Sequence, residues 1–194
     1  MSMPAVEPRR WTYDEVWDLI DAQEDRSIRY EYADGHLLVT PAPSGYHQRI
    51  ILDLYRIIDP YVRGHALGEV RLGPSPIAVA PRTIFQPDLY VVPSVNGRRP
   101  RADVPVTSSI LIVEVLSPGS IRHDRITKRK HYQRAGVPEY WILDQESQAF
   151  ERWRPADGRA ESRQDGIAWH PMGARTPLVI ELPELFRSVL DDAE

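Results

Sequence analysis

The segment that most limits how this chain can fold is Ile110–Leu116, an apolar run interrupted by one carboxylate. Both alternating faces of the run are apolar, which predicts a central β-strand covered on each side by other parts of the chain. Glu114 lies inside this run, and an ionised carboxylate buried alone costs several kcal/mol even after relaxation. We therefore expect Glu114 to be protonated, paired with a cation or bound to a metal ion.

A second carboxylate stands at the start of another apolar run. Asp88 follows Pro87 and precedes the apolar residues 89–92. If the two strands are neighbours, Asp88 and Glu114 converge on an oxygen-ligand site of the kind that holds Mg²⁺ or Mn²⁺. Two simpler alternatives stay open at this point. Glu114 can form an ion pair with one of the 22 arginines, and Asp88 can be a turn or strand-start residue.

The choice of cations gives a clue of a different kind. The chain has 22 arginines but only two lysines, Lys128 and Lys130, and both lie in a predicted helix over 120–135. At about 100° per residue, Lys128 faces the sheet, whereas Lys130 faces solvent on the same side as His123. A lysine suits a catalytic site because its ammonium is a compact charge whose pKa moves with burial. The alternative is a simple helical ion pair between Lys128 and Asp124, four residues apart.

The remaining pattern predicts a mixed architecture. Thr12 opens a capping box for a helix to about residue 23, and Asp34-Gly35 predicts a hairpin turn within 28–40. Ser44 caps a second predicted helix, which Pro60 should kink or end early. Further strands are predicted at 69–72, 77–80, 84–92, 109–116, 139–144, 148–153 and 178–182, with a last helix at 183–190. This order is typical of the α/β (α+β) class, with a mixed central β-sheet flanked by helices, in a single domain spanning 1–194.

Composition narrows the function. The absence of cysteine excludes a disulfide scaffold, a thiolate zinc site and a cysteine nucleophile. No uncharged run approaches the roughly 20 residues that span a bilayer, so we expect a soluble cytoplasmic protein without membrane partners. The net charge of −4 argues against a packaging role, but the window 122–134 holds six cations and one anion. That window predicts nucleic-acid binding by Arg125, Arg129, Lys130 and Arg134; a solvated helix face is the alternative.

Several short motifs in this chain resemble those of the bacterial Uma-type restriction endonuclease family, within the PD-(D/E)xK nuclease superfamily. Their order and spacing are specific, and they cover about residues 12–153. The motifs are Tyr30–Gly35, His47-Gln48, Gln86–Leu89, Val113–Pro118, Asp124 with Lys128 and Tyr132, and Ala135–Asp144.

The resemblance implies a restriction-endonuclease-like core at about 12–153, followed by C-terminal strands and a short helix at 154–190. It also implies hydrolysis of phosphodiester bonds in DNA, with RNA not excluded, by a site that uses Mg²⁺ and accepts Mn²⁺. Because a compact nuclease domain must pair to cut both strands, we expect a homodimer.

Site roles follow from the resemblance residue by residue. Asp88 and Glu114 would be metal ligands, with the Val115 carbonyl as a third oxygen. Leu116 stands where the superfamily has its lysine, so the catalytic lysine would be Lys128 on the following helix. Glu31 would be an additional acidic catalytic residue, or else an exposed strand carboxylate. The supporting candidates are His47, Asp124 and Tyr132; the alternative for His47 and Tyr132 is a place in the core, and for Asp124 it is the ion pair with Lys128.

Two hypotheses about function remain at this stage. The first is a metal-dependent DNA endonuclease that uses Asp88, Glu114 and Lys128. The second is a nuclease-fold binding or assembly module with weak or lost catalysis, suggested by Leu116 and by the acidic remainder of the chain. Hydrolysis of another phosphate ester has no support, because the chain has no glycine-rich phosphate loop.

Overall fold

The structure is a computed structural model that describes residues 9–25, 28–41, 43–80, 82–98, 100 and 108–190. Its helices are α1 (Tyr13–Asp21), α2 (Gly45–Gly64), α3 (Arg129–Arg134) and α4 (Leu182–Leu190), and a π-helical segment, His123–Lys128, leads directly into α3. The strands are β1 (Ile28–Ala33), β2 (His36–Pro41), β3 (Gly68–Leu72), β4 (Ile77–Ala80), β5 (Thr83–Phe85), β6 (Leu89–Pro93), β7 (Leu111–Val115), β8 (Tyr140–Asp144), β9 (Ala149–Trp153), β10 (Glu161–Arg163), β11 (Gly166–Trp169) and β12 (Leu178–Glu181).

Among the described residues, the strands form one large sheet and two smaller ones. The central sheet has six strands in the order β10-β9-β8-β7-β6-β3, and a four-stranded sheet has the order β2-β1-β5-β4. β7 and β8 run parallel, whereas the other pairs of the central sheet are antiparallel. β11 pairs with β12. The expected mixed sheet flanked by helices is therefore confirmed.

Apolar residues cover both faces of the central sheet, as the Ile110–Leu116 run predicts. On one face, α2 and α4 pack against Val113 and Val115 of β7. On the other face, Ile112 and Leu116 pack with Phe85 and with residues of α3. Because side chains alternate along a strand, Glu114 shares the second face, and it is 2% exposed.

Local signals in the first part of the chain act as predicted. Thr12 and Glu15 complete a capping box at α1. Asp34 and Gly35 both have positive φ, as a tight hairpin turn between β1 and β2 requires. Ser44 caps α2 by accepting a hydrogen bond from the backbone N–H of residue 47.

Pro60 does not end α2 early, and one predicted strand is divided in two. α2 continues through Pro60 to Gly64, because its buried apolar face, which includes Ile58 and Val62 on either side of the proline, packs into the core and outweighs the lost backbone hydrogen bond. The predicted strand 84–92 is two strands, β5 and β6, which belong to different sheets. Pro87 cannot donate to a ladder, so the chain leaves one sheet and enters the other there, and Asp88 stands at the junction.

The predicted helix 120–135 also differs from the regular geometry that was assumed for it. Residues 123–128 form a π-helical turn, in which the backbone N–H of Arg129 bonds the carbonyl of Asp124, five residues earlier. The Tyr140 hydroxyl donates to the same carbonyl at 3.1 Å. The wider turn rotates side chains away from the positions that a step of about 100° per residue predicts.

Candidate active site

The predicted site residues meet at a small cavity where β1, the start of β6 and the end of β7 approach the π-helical segment. Its volume is about 30 Å³, which leaves room for an ion or one water-sized group. Seven of the candidates line it: Glu31, His47, Asp88, Glu114, Val115, Asp124 and Lys128. Tyr132 lies just behind them, with its hydroxyl 3.4 Å from Glu114 Oε1.

Asp88 is buried and tightly held. Its Oδ2 accepts a hydrogen bond from the backbone N–H of Val115 at 2.9 Å, and His47 Nε2 lies 3.1 Å from the same oxygen. Arg29 Nη1 contacts Oδ1 at 2.8 Å. Burial alone would raise the pKa of Asp88, but His47 and Arg29 together lower it to about 2. Asp88 therefore keeps its negative charge at neutral pH.

Lys128 stands in the centre of three carboxylates. Its Nζ lies 3.0 Å from Glu31 Oε1, 3.0 Å from Glu114 Oε1 and 3.1 Å from Asp124 Oδ1. The side chain is only 5% exposed, and burial by itself would lower the pKa of the ammonium. The three carboxylates outweigh that effect and raise the pKa of Lys128 well above its usual value. The lysine is therefore a fixed positive charge.

Glu114 lies where negative charge accumulates. Burial is the main cause that raises the pKa of Glu114 well above its usual value, and the neighbouring Asp124, Asp88 and Glu31 add to it against the opposing effect of Lys128. Lys128 and Tyr132 both contact Oε1, so the other oxygen takes part in neither contact. The cation beside Glu114 is thus a lysine and not one of the arginines.

Glu31 is buried, and not an exposed strand carboxylate. It accepts a short hydrogen bond, 2.6 Å, from the backbone N–H of Gln86, and its Oε2 lies 3.3 Å from His123 Nε2. Burial opposes ionisation, but Lys128 and His123 keep the pKa of Glu31 below its usual value. Glu31 is therefore a charged group of the site and holds Lys128 in place.

Sequence reasoning missed two residues at this site. Arg29 precedes Glu31 by two residues on β1, so the period of a strand is the signal that could have placed both on one face. His123 was expected on the outward face with Lys130, yet it contacts Glu31 and is 13% exposed. That expectation is wrong because the π-helical turn departs from the regular helical step, which nothing in the residue pattern announces.

The four residues predicted to bind nucleic acid divide into two pairs. Arg125 contacts Asp144 and Glu151 at 3.0 and 2.7 Å. Arg129 donates to the Arg125 carbonyl and to the Gln133 side chain, and its guanidinium lies over a tryptophan ring. Lys130 and Arg134 are exposed. Their role in binding stays a prediction.

The charge balance of the cavity bears on whether it can bind a metal ion. Its four carboxylates, when ionised, carry two more charges than Lys128 and Arg29 supply. In the part of the chain that the structure describes, no three His, Asp or Glu side chains form a complete metal-binding group by themselves. Mg²⁺, however, is commonly held by one or two carboxylates and keeps several waters.

The oxygen donors present fit such an ion. Asp88 and Glu114 are carboxylates on one cavity, and Val115 lines it too. The Val115 N–H points to Asp88, and in a strand the carbonyl of a residue points to the same side as its N–H. The donor set is therefore all oxygen, the chemistry that Mg²⁺ and Mn²⁺ prefer.

No helix within the described ranges is both long and apolar enough to cross a membrane.

Comparison with known proteins gives two findings. The sequence profile of a family named Uma2, with the description "Putative restriction endonuclease", matches residues 14–189. The fold is similar to that of a crystal structure from Anabaena variabilis ATCC 29413, described as "a putative nuclease belonging to DUF820", with a TM-score of 0.74 and 21% sequence identity. The similarity covers 92% of this chain and 99% of that chain. No curated protein matches the sequence.

Proposed function

Because the chain belongs to the Uma2 family, whose description is "Putative restriction endonuclease", we propose that it is a divalent-metal-dependent endonuclease that hydrolyses phosphodiester bonds of DNA. The observation that carries this proposal is the buried Lys128, held by three carboxylates beside Asp88 on one cavity. Such an arrangement is expensive to bury without a function that uses it.

Asp88, Glu114 and the Val115 carbonyl would hold the cation. A bound Mg²⁺ or Mn²⁺ supplies Lewis-acid chemistry, because it stabilises negative charge on a phosphate and lowers the pKa of a nearby water. With all four carboxylates ionised, the site carries two net negative charges that a divalent ion would offset, and binding would favour the ionised form of Glu114, whose pKa is otherwise raised.

Lys128 would stabilise the charge that develops on the phosphate in the transition state. Its position is set in advance by Glu31 and Asp124, both buried and both within 3.1 Å of Nζ. A charge that is already in place needs no reorganisation when the reaction occurs. Glu31 also holds His123, so we assign it the role of a positioning residue.

Cleavage of a supercoiled plasmid tests the proposal. The wild-type chain with Mg²⁺ or Mn²⁺ should nick or linearise the plasmid, and EDTA should stop it. Asp88→Asn, Glu114→Gln and Lys128→Met should each lower the rate by roughly 100-fold or more. Glu146→Gln removes an exposed carboxylate and should cut at the wild-type rate. Cleavage that persists in the site variants would overturn the proposal.

One observation favours the second candidate, a binding or assembly module. Arg29 already neutralises Asp88 at 2.8 Å, as a purely structural carboxylate would require. Calorimetric titration with Mn²⁺ separates the two: a binding heat that Glu114→Gln abolishes supports the endonuclease, whereas no binding by the wild-type chain supports the module.

We further propose that the enzyme acts as a homodimer in the cytoplasm. A single site cuts one strand, so a double-strand cut needs two sites, and paired chains supply them by symmetry. Sedimentation velocity at micromolar concentration should show a species of twice the chain mass of 22.3 kDa; a single monomeric species would contradict this.

A further inference from the structure

A second concave surface lies beyond the hairpin turn of β1 and β2. It encloses about 710 Å³, far more than the cavity at Asp88. Four parts of the chain form its walls: the segment before α1, the hairpin turn, the turn between β4 and β5, and the end of α3. We call it the arginine groove after three residues that line it, Arg10, Arg82 and Arg134.

The three arginines are placed by different local features. The backbone N–H of Trp11 bonds the carbonyl of Gly35 at 3.1 Å, which ties the segment with Arg10 to the hairpin turn. Arg82 has a φ of +63°, a conformation that is unfavourable for a residue with a side chain and that is often kept where it serves a function. Arg134 lies in the last turn of α3.

The groove carries unneutralised positive charge. None of Arg10, Arg82 and Arg134 forms an ion pair with a described residue, and all three are exposed. The carboxylate in the lining, Asp34, is 68% exposed and lies 3.3 Å from His131 Nε2. Lys130 is also exposed and precedes Arg134 by four residues, so the two cations are neighbours on the helix surface. An acidic chain of net charge −4 thus presents a concentrated basic surface here.

The arginine groove lies close to the candidate active site. One aromatic side chain separates them: the Phe85 ring centroid is 5.9 Å from Lys128 Nζ and 5.5 Å from the His131 ring centroid. Glu31 lines the cavity and Asp34 lines the groove, and three residues of strand span about 10 Å. Successive phosphates on one strand are farther apart than the axial rise of about 3.4 Å per nucleotide, so the groove lies within reach of phosphates that flank the one that is cut.

We propose that the arginine groove binds backbone phosphates of the DNA strand that flank the bond that is cut. This proposal rests on the endonuclease function proposed above, because it assigns the groove to the same substrate. The arginines supply sequence-independent contacts that position the strand, while Lys128 and the carboxylates act at the cleaved phosphate. Of the four cations expected to bind nucleic acid, Lys130 and Arg134 keep that role in this proposal. Arg10 and Arg82 replace Arg125 and Arg129.

Salt-dependent binding of the full chain to a fluorescent DNA duplex tests the groove. EDTA is present throughout, so cleavage does not contribute. Arg82→Ala with Arg134→Ala should make the slope of log affinity against log salt shallower by roughly 1.8, the value for two lost phosphate contacts. The matched control is Arg159→Ala with Arg187→Ala, which removes the same charge from exposed arginines outside the groove.

The outcomes separate this proposal from the chemistry. If the slope of log affinity against log salt is unchanged in the groove variant, or changes equally in the control, the proposed role of the groove is wrong even if the protein cuts the plasmid. A selective loss of slope supports the groove even if the wild-type chain proves unable to cut. Thermal melting of both double variants should match the wild type, since every substituted side chain is exposed.

Discussion

Two groups of charged side chains among the described residues differ in plan: the candidate active site is buried, whereas in the group around Arg152 two members are partly exposed, Arg154 by 45% and Glu161 by 37%. Around Arg152, which is 7% exposed, two arginines meet two glutamates: Arg152 forks onto Glu161 at 3.0 and 3.1 Å, and Arg154 lies near Glu139 and Glu161. Arg152 Nη1 also donates to the Ala168 carbonyl. We call this group the Arg152 cluster; its charges cancel.

The candidate active site has no such balance. Four carboxylates share one lysine and one arginine, and two buried nitrogens, Arg29 Nε and His47 Nδ1, have no hydrogen-bond partner among the described residues. Buried polar groups that are fully paired stabilise one conformation. An excess of carboxylates over cations, together with buried nitrogens that lack a partner, is typical of a site that binds a further charged group. This difference supports the proposal that the Arg152 cluster stabilises the fold and that the candidate active site carries the chemistry.

Replacing the central cation of each group should give the largest difference between them, in cleavage for one and in stability for the other. Lys128→Met should lower plasmid cleavage by roughly 100- to 1000-fold, because the positive charge proposed to stabilise the phosphate in the transition state is lost. Arg152→Met should leave cleavage per folded molecule unchanged and lower the free energy of unfolding by about 1–3 kcal/mol, because the Ala168 carbonyl loses its charged donor and the two glutamates lose one of their two arginines. Urea unfolding and plasmid cleavage measure the two effects.

Lys128→Arg provides a check that does not depend on folding of the methionine variant. It keeps the charge, but a planar guanidinium does not fit three oxygens arranged around a point. We expect it to fold and to cut far more slowly than the wild type. Equal cleavage by Lys128→Arg, or a loss of cleavage in Arg152→Met, would reverse the assignment.

A bound metal ion should stabilise the protein through the candidate active site and not through the Arg152 cluster. At 100 times its dissociation constant, Mn²⁺ should add about 2.7 kcal/mol to the free energy of unfolding, a rise of roughly 5–10 °C in Tm for a domain of this size. Glu114→Gln should abolish the rise because a ligand is lost, and Glu161→Gln should keep it. Melting curves with Mn²⁺ and with EDTA decide the matter; a rise retained in Glu114→Gln would place the ion elsewhere.

Low pH should remove a smaller amount of stability, the part that depends on the ionised Asp88 of the candidate active site. The pKa of Asp88 is about 2 in the folded chain and about 3.9 when unfolded. The ionised Asp88 carboxylate therefore contributes roughly 2–3 kcal/mol to the free energy of unfolding, which is present in full above about pH 5 and is lost as the pH falls towards 2. Asp88→Asn should lower stability at pH 7 and much less at pH 2. A constant difference across that range would show that the Asp88 charge is not stabilised by Arg29 and His47.

Much of the fold could be predicted because its signals are local. The capping box at Thr12, the Asp34-Gly35 turn and the Ser44 cap each depend on neighbouring residues alone. The split between β5 and β6 is different: Pro87 marks where the strand is interrupted, but that the two parts belong to separate sheets depends on their pairing with distant strands. Pro60 misleads in the same way, because the packing of α2 overrides a local preference.

The site could be predicted in part for a related reason. Asp88 and Glu114 are conspicuous because each interrupts or opens an apolar run, and Lys128 because lysine is rare in this chain. Arg29 and His123 are not conspicuous: one is among 22 arginines, and the other is brought to Glu31 by a π-helical turn. Polar partners within a site depend on geometry that a residue pattern does not contain.

The parallel pairing of β7 with β8 has a consequence for how the protein folds. Parallel strands need a crossover connection, and here the crossover carries Lys128 while β7 carries Glu114. Closing that long connection is slow relative to forming a hairpin. The cavity is lined by residues from Arg29 to Lys128, so a chain emerging from the ribosome cannot assemble it until the crossover that carries the lysine has been synthesised.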